Sequence, residues 1–347
     1  MGAALNFTHT HRLKSLRSSK FSYLEMTKVV CVTGASGYIA SWLVKLLLEA
    51  GYTVKATVRN LSDPKKVAHL MAFEGAKERL HLYEADLLKD GSFDSVVDGC
   101  ECVFHIASPV IQSVTNPQTQ LIDPAVNGTL NILQSCKKVS SIKRVVMTCS
   151  MASVANNYNP LKPDVVIDET WFSDPNFCKE IKEWYALSKT LAEKAAWKYV
   201  EENSIDLVTL HPGFAIGPLL QPTLNLSCEG LLRFIKEGKE MLPGGVYRYV
   251  DVRDVARAHI LAFENSSAIG RYCLVGRVAY SFEAADILKG IFPSLNVPLN
   301  TKENQPSYPP YQVSKEKAQC LGVNFTPLEV SLKDTFEILK DRNLLSF

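Results

Sequence analysis

From Lys28 to Pro212, short apolar runs alternate with segments of helical period. "KVVCVT" (28–33), "TVKATV" (53–58), "RLHLYEAD" (79–86), "ECVFHIA" (101–107), "KRVVMTC" (143–149) and "IDLVTLHP" (205–212) predict strands. "YIASWLVKLLLEAG" predicts a helix that stops at Gly51, and further helices are expected near 64–74, 92–98, 119–138 and 178–203. Such alternation implies an α/β fold, a doubly wound parallel sheet covered by helices on both faces. After Pro212 the pattern loosens. "GPLLQPTLN" and "EMLPGG" read as loops, and 296–312 is rich in Pro and Asn. The expected division is a sheet domain over 26–215, with 246–280 returning to it, and a smaller interleaved lobe from 216–245 and 281–347.

Composition narrows the classes. The chain has 347 residues, is 46% hydrophobic and carries a formal net charge of +2, enough for a sizeable core. A near-neutral balance gives no reason to expect nucleic acid or an anionic membrane as partner. No apolar run is long enough to span a bilayer. The nine cysteines form no C-x-x-C pair and no His/Cys cluster with metal spacing, so no metal is expected and most should be small buried side chains of a reduced compartment. The first 24 residues hold Arg12, Lys14, Arg17 and Lys20, six Ser/Thr and no acid. Residues 1–25 read either as a disordered leader with Met26 as the functional start, or as a transit peptide. The first strand begins directly after Met26, which favours the leader and a cytoplasmic location; the transit reading implies a plastid.

"VTGASGYIA" (32–40) lies between the first strand and the first helix. Gly34 and Gly37 allow a tight turn and close backbone approach to a pyrophosphate, and the helix N-terminus offers N–H groups and a positive dipole end. The loop and first helical turn make Gly34, Ser36, Gly37, Tyr38 and Ile39 candidate contacts of a dinucleotide. Ala40 stands at the third glycine position and still permits close helix–sheet packing. The second strand ends "TVRN", where an NAD site usually carries an acid. Arg59 occupies that region and Lys65 and Lys66 follow, which suits a 2′-phosphate and NADP(H). Asp63 is the one nearby acid. Asp86 and Leu87 close the third strand, where a carboxylate accepts from an adenine amino group or caps a helix.

Tyr185 and Lys189 stand four apart in "EWYALSK", one turn of a predicted helix. Ser150 follows the fifth strand, where side chains of an open α/β sheet face the ligand crevice. "TGASGYIA", "ADL", "HIASP", "VNGTLNIL", Ser150, "YALSK" and "HPGFAIGP" occur in that order, and the set resembles the extended short-chain dehydrogenase/reductases. Within them the chain resembles the plant branch of dihydroflavonol reductases, cinnamoyl-CoA reductases and phenylacetaldehyde reductases. "DPAVNGTLNIL", "DETWFSDP", "SKTLAEKAAWKY", "IGPLLQPTLN" and "YQVSKEKA" look most like the last group. The resemblance implies a Rossmann-type fold and a Ser-Tyr-Lys mechanism. Tyr185 would protonate the substrate oxygen, Ser150 would hold it, and Lys189 would bond the nicotinamide ribose and assist the tyrosine. A cation ~4 Å from a phenol supplies roughly 4 kcal/mol at an effective dielectric of ~20, enough to move a proton donor about three pH units towards neutrality. By the same resemblance, Arg59 and Lys66 match the 2′-phosphate pair and Asp86 and Leu87 the adenine contacts. Ile106, Ala107 and Ser108 match the segment after the fourth strand. Pro212, Gly213, Phe214 and Ala215 match the strip under the nicotinamide, and Ser227 a later phosphate contact.

The departures bear on substrate. Cinnamoyl-CoA reductases read N-W-Y-C-Y-G-K where this chain has "EWYALSK", which lowers the thioester reading. Dihydroflavonol reductases carry an Asn where this chain has Ala155, and Asn156 and Asn157 are out of register. Phenylacetaldehyde reductases often read N-P-A-M where this chain has His211, Pro212, Gly213 and Phe214, and "VIQSV" after "HIASP" lacks their aromatics. Cys149 beside Ser150 reads as a small buried residue, His211 as a possible ligand contact and His259 as a structural histidine. The expectation is an NADPH-dependent reductase of small, aromatic aldehydes or ketones, monomeric or homodimeric, with no nucleic-acid or membrane partner. Flavonoid or CoA-thioester reduction is the alternative, alcohol oxidation the alternative direction, and a non-catalytic dinucleotide scaffold the rival of another class.

Overall fold

The computed structural model describes residues 28–110, 114–238, 245–295 and 309–345. The expectations for 1–25, for Met26, for the middle of "VIQSV", for most of "EMLPGG" and for 296–308 fall outside them.

The strands of the first half are β1 (Val29–Val32), β2 (Thr53–Val58), β3 (Leu80–Glu84), β4 (Cys102–His105), β5 (Arg144–Thr148), the short β6 (Val166–Ile167) and β7 (Leu207–Pro212). They are followed by β8 (Phe214–Ile216), β9 (Val246–Asp251), β10 (Gly270–Leu274), β11 (Arg277–Tyr280) and β12 (Gln312–Val313). A seven-stranded sheet runs β10-β7-β5-β4-β1-β2-β3, and every pairing in it is parallel. The strand order therefore reverses at β1, between β2 and β4, and the crevice outside the strand C-termini opens there. β8, β9 and β11 form a separate three-stranded sheet, and β6 pairs with β12.

The helices are α1 (Tyr38–Glu49), α2 (Pro64–Met71), α3 (Ala76–Arg79), α4 (Asp94–Val97), α5 (Asp123–Lys137), α6 (Pro175–Glu180), α7 (Trp184–Asn203), α8 (Leu226–Glu237), α9 (Val252–Glu264), α10 (Ser281–Ile291), α11 (Glu316–Cys320) and α12 (Leu328–Asp341). One face of the large sheet is covered by α1 packed on α9, the other by α5 packed on α7. β4 and β5 are buried at every position, as strands sandwiched between two helical layers must be. Among the described residues no helix is long and apolar enough to cross a membrane. Eight of the nine cysteines are buried, Cys320 being exposed.

Three expectations change. The single helix over 178–203 is two, α6 and α7, separated at Lys182, whose φ is +58°. Asp174 caps α6 by accepting from Asn176 and Phe177 N–H at 2.7 and 3.1 Å. The chain then reverses through Lys182 and restarts at Trp184, which sets Tyr185 in the first turn of α7. The helix near 92–98 is the single turn α4. The stretch after "GPLLQPTLN" gives α8, whose apolar face is buried through Cys228, Leu231, Leu232, Phe234 and Ile235.

Candidate active site

The phosphate loop is held by its neighbours. Gly34 has φ +66°, and a Cβ there would lie 3.0 Å from Ala107 Cβ. Its N–H donates to Thr57 Oγ1 at 3.1 Å. Thr33 Oγ1 accepts from the N–H groups of Ile106 and Ala107, both at 3.0 Å. With its lone pairs used, Thr33 gives its own proton to His105 Nδ1 at 3.1 Å. The ring is then the Nε2–H tautomer, with Thr129 Oγ1 at 3.4 Å from Nε2. Burial, with the Lys189 charge, pushes His105 down to about 3, so it stays a neutral acceptor.

Gly37 caps α1 with no side-chain bond, and the first turn carries no acid. The first N–H groups of α1 are therefore left to a ligand, in a setting that favours an anion. Ala40 is fully buried, in keeping with close packing of α1 on the sheet. Tyr38 spends its hydroxyl on Gly217 O at 2.8 Å, so its contribution to the loop is its backbone.

All of Gly34, Ser36, Gly37, Tyr38 and Ile39 border one continuous cleft of ~2140 Å³. Arg59, Lys66, Asp86 and Leu87 border it, as do Ile106, Ala107 and Ser108, and Pro212, Gly213, Phe214, Ala215 and Ser227. Asp63 caps α2 by accepting from Lys65 N–H at 2.9 Å; it borders the same stretch of the cleft as Arg59 and Lys66, so two cations outnumber one carboxylate there. Asp86 is exposed, and its Oδ1 accepts from Leu88 N–H at 2.9 Å; it closes a turn and does not cap a helix. Ser227 donates to Ala215 O and accepts from Asn225 Nδ2. Asn225 Oδ1 is buried without a partner and Asn225 faces the cleft. These features fit a dinucleotide: a glycine cradle that a Cβ would fill, a helix N-terminus without a side-chain cap, two cations at its far end and an orphaned acceptor.

Ser150 and Tyr185 border the same cleft. Ser150 is extended (φ −165°, ψ 154°) and caps a short turn at Met151–Ser153. Its Oγ accepts from Ala152 N–H at 3.1 Å, which leaves the hydroxyl proton free to donate into the cleft. Lys189 lies behind Tyr185 and is 5% exposed, with Nζ 5.9 Å from the centre of the tyrosine ring. It does not border the cleft itself.

The sequence reading missed a buried network behind Ser150. His211 is fully buried. Its Nδ1 lies 3.2 Å from Ser150 O and its Nε2 3.2 Å from Glu193 Oε1. Arg271 Nε donates to the same carboxylate oxygen at 2.7 Å. Burial disfavours charge on Glu193, but His211 and Arg271 overcome it and hold the carboxyl down at about 2. The available signal was the spacing: Tyr185, Lys189 and Glu193 stand at i, i+4 and i+8 and share a face of α7. His211 is thus a support of the Ser150 backbone and not a wall of the cleft. Cys149, Glu193 and His211 place their donor atoms within 4.8 Å of one another. Arg271 already satisfies the carboxylate, and burial pushes the Cys149 thiol well up, so the cluster reads as a hydrogen-bonded support. His259 donates from Nδ1 to Val255 O and accepts from Thr148 at Nε2, both at 2.7 Å, the structural role expected for it.

The profile of the NAD dependent epimerase/dehydratase family matches residues 30–276. The chain is 59% identical, over 90% of its length and 96% of the other protein, to "Cinnamoyl-CoA reductase CAD2" of Medicago truncatula. It is 45% identical to "Tetraketide alpha-pyrone reductase 1" of Arabidopsis thaliana, over 91% of this chain and 97% of that one. Among solved structures, vestitone reductase of alfalfa superposes with a TM-score of 0.80 at 34% identity, covering 91% of this chain and 99% of that one. The yeast methylglyoxal/isovaleraldehyde reductase Gre2, solved with NADPH, superposes with a TM-score of 0.81 at 30% identity, covering 91% and 100%. A parallel sheet reversing at β1, a glycine cradle at that reversal and a matching profile lead to one conclusion: this chain belongs to the NAD dependent epimerase/dehydratase family, the extended short-chain dehydrogenase/reductases, with plant reductases among its relatives.

Proposed function

We propose that the chain is an NADP(H)-dependent oxidoreductase that reduces an aromatic carbonyl of the cinnamoyl class, its CoA thioester first and the free aldehyde second. The observation that carries the reading is the placement of Ser150 and Tyr185 on one cleft with the dinucleotide cradle, and Lys189 behind the tyrosine. NADPH supplies the hydride when bound. Gly34, Ser36, Gly37 and the first turn of α1 would hold its pyrophosphate. Arg59 and Lys66 would hold the 2′-phosphate, and Asp86 and Leu87 the adenine. Ile106 to Ser108, Pro212 to Ala215 and Ser227 would line its remaining length.

The chain's own groups then handle the oxygen. Ser150 donates its hydroxyl proton to the substrate carbonyl and fixes its direction. As the carbonyl carbon gains hydride, the C=O π pair moves to oxygen and Tyr185 gives that oxygen its proton. Lys189 stabilises the phenolate left behind. An aldehyde becomes an alcohol at this point. For a thioester, the tetrahedral product loses its hydroxyl proton and its C–S bond breaks with the electron pair on sulfur. The products are an aldehyde and the free thiol. The sheet domain, 26–215 with 246–280, would supply most of the cofactor contacts and 216–245 with 281–347 the substrate lobe, with Ser227 reaching back to the cofactor and β9 and β11 lying in the separate three-stranded sheet.

The order of substrates departs from the motif argument. "EWYALSK" alone lowered the thioester reading, yet the relative at 59% identity is named a cinnamoyl-CoA reductase. The aldehyde stays as second reading because the motif does depart, and because a structural relative is named an aldehyde reductase. Flavonoid reduction is weaker, since Ala155 offers no amide and the amides of Asn156 and Asn157, which also border the cleft, each donate to a backbone carbonyl, of Ala152 and Phe172. The test is NADPH oxidation, with NADH alongside, on cinnamoyl-CoA, cinnamaldehyde, phenylacetaldehyde and a dihydroflavonol. Turnover of the thioester with NADPH supports the first reading, and turnover of aldehydes alone the second. No turnover together with retained NADPH binding supports the scaffold.

A further inference from the structure

The far wall of the cleft carries a cation that meets no carboxylate among the described residues. Arg248 sits in the middle of β9, opposite Val278 of β11. Strand alternation turns Val246 and Arg248 to one face and Tyr247 and Tyr249 to the other. The first two border the cleft, while both tyrosines are buried and pack on Phe214, with ring centres 4.9 and 5.9 Å away. The Arg248 guanidinium lies 5.2 Å from the centre of the Tyr311 ring. Its Nε is buried and has no hydrogen-bond partner. Arg144, Arg253, Arg271 and Arg277 each meet a carboxylate within 3.1 Å, whereas Arg248 meets none among the described residues.

The backbone pins this arginine beside the strip that follows β7. A Cβ on Gly213 would fall 2.0 Å from Arg248 O. Only glycine at 213 lets β9 lie this close to the strip that follows β7, which explains the departure at that position. Val278, Tyr311 and Val246 also share an apolar cluster with Met151, Val154 and Ala155, within five residues after Ser150. On this side of Ser150 the cleft is lined by Met151, Ala155, Val246 and Tyr311, with Asn156 and Asn157 beside them, and it carries the Arg248 guanidinium.

An arginine does not discharge by losing its proton. Held by an aromatic ring with one N–H desolvated, it gains most from an oxyanion that accepts two of its N–H groups at once. We propose that Arg248, braced by Tyr311, is a specificity-determining residue and binds an oxyanion, carboxylate or phosphate, carried by the carbonyl substrate on an apolar body. The proposal rests on the reductase reading for its substrate. The anion can belong to an oxo-acid or to the phosphates of a CoA thioester.

Two matched pairs separate these sources. One is 4-carboxybenzaldehyde against benzaldehyde; the other is cinnamoyl-CoA against its N-acetylcysteamine thioester, which lacks the phosphates. The readout is the ratio of kcat/KM within each pair, for the wild-type protein, Arg248→Gln and Arg248→Lys. The wild type should prefer the anionic member of at least one pair by ~10- to 100-fold, through KM. Arg248→Gln should bring that ratio close to one, and Arg248→Lys should restore part of it. The ratio does not depend on the fraction of protein folded. No preference in either pair, or a preference that survives Arg248→Gln, overturns the proposal. If no substrate turns over, the reductase reading fails instead. The subsite is then judged by calorimetry of terephthalate against benzoate on the NADP⁺-loaded protein, where equal binding, or discrimination that survives Arg248→Gln, overturns it.

Discussion

On the dinucleotide side of the cleft the contacts on offer are mostly backbone groups, and they come from one short stretch. Gly34, Gly37 and the start of α1 present N–H groups, and Thr33 ties that loop to Ile106 and Ala107. On the opposite side the contacts are side chains, and they come from segments far apart in the chain: Ala155, Arg248, Tyr280 and Tyr311. The first wall depends on conformations that few residue types adopt, so its sequence is constrained. The second depends on which side chain projects from a strand, so it can change with little effect on the fold. A cofactor common to a family suits the first construction, and a substrate that differs between members suits the second.

Tyr185→Phe should have the largest effect, because the tyrosine serves both walls. Turnover is expected to fall by ~10²- to 10⁴-fold while NADPH titration by fluorescence is unchanged. Residual turnover within a few-fold of wild type would remove Tyr185 from the chemistry.

Acid should act through two buried neutral histidines, one of them behind the dinucleotide wall. His105 is held down to about 3 by burial and the Lys189 charge, and His259 down to about 4 by burial against the pull of its bond to Val255. The unfolded chain protonates both near 6.5, while the native state does not. Stability therefore falls as pH drops below ~6.5 and stops falling once the native values are passed. At pH 5 each histidine contributes a loss of about 2 kcal/mol. Urea unfolding at pH 7 and pH 5 measures it, and in His259→Gln the difference between the two pH values should shrink by roughly half. An undiminished difference would remove His259 as a source.

Gly213→Ala sets the walls against each other. The new Cβ meets backbone and not a movable side chain, so a destabilisation of about 1–3 kcal/mol is expected. Substrate KM should rise more than NADPH KM as β9 moves outwards. Equal rises would mean that the strip belongs to both walls.

Arg59→Ser should be the smallest of the four. It removes one exposed charge, so NADPH KM is expected to rise ~10-fold, as for a hydrogen bond to a charged group, with NADH KM little changed. A proportional rise for NADH would place Arg59 away from the 2′-phosphate.

The sheet was legible because its strands are apolar on both faces and the residues between them keep a helical period. The glycine loop was legible because few residue types adopt φ +66°. The break at Lys182 was not, since a lysine in that conformation carries no turn signature and "CKEIKEWYALSK" keeps good helix formers throughout. α8 was hidden behind a Pro-rich stretch. Nothing local marks Glu193 and Arg271 as partners, and only the fold brings β10 against α7 to bury them as a pair. Arg248 gave no local signal at all, because its role arises from a strand pairing that no periodicity announces.

The bond between Glu193 and Arg271 also has a consequence for synthesis. Tyr185, Lys189 and Glu193 leave the ribosome about eighty residues ahead of Arg271. Until Arg271 emerges and β10 docks beside β7, the acid on the catalytic helix lacks the guanidinium that shares its charge. The helix that holds the tyrosine is therefore secured only after about three quarters of the protein has been made. A nascent chain released before residue 271 would carry the phosphate loop and the tyrosine, yet lack the guanidinium that holds Glu193.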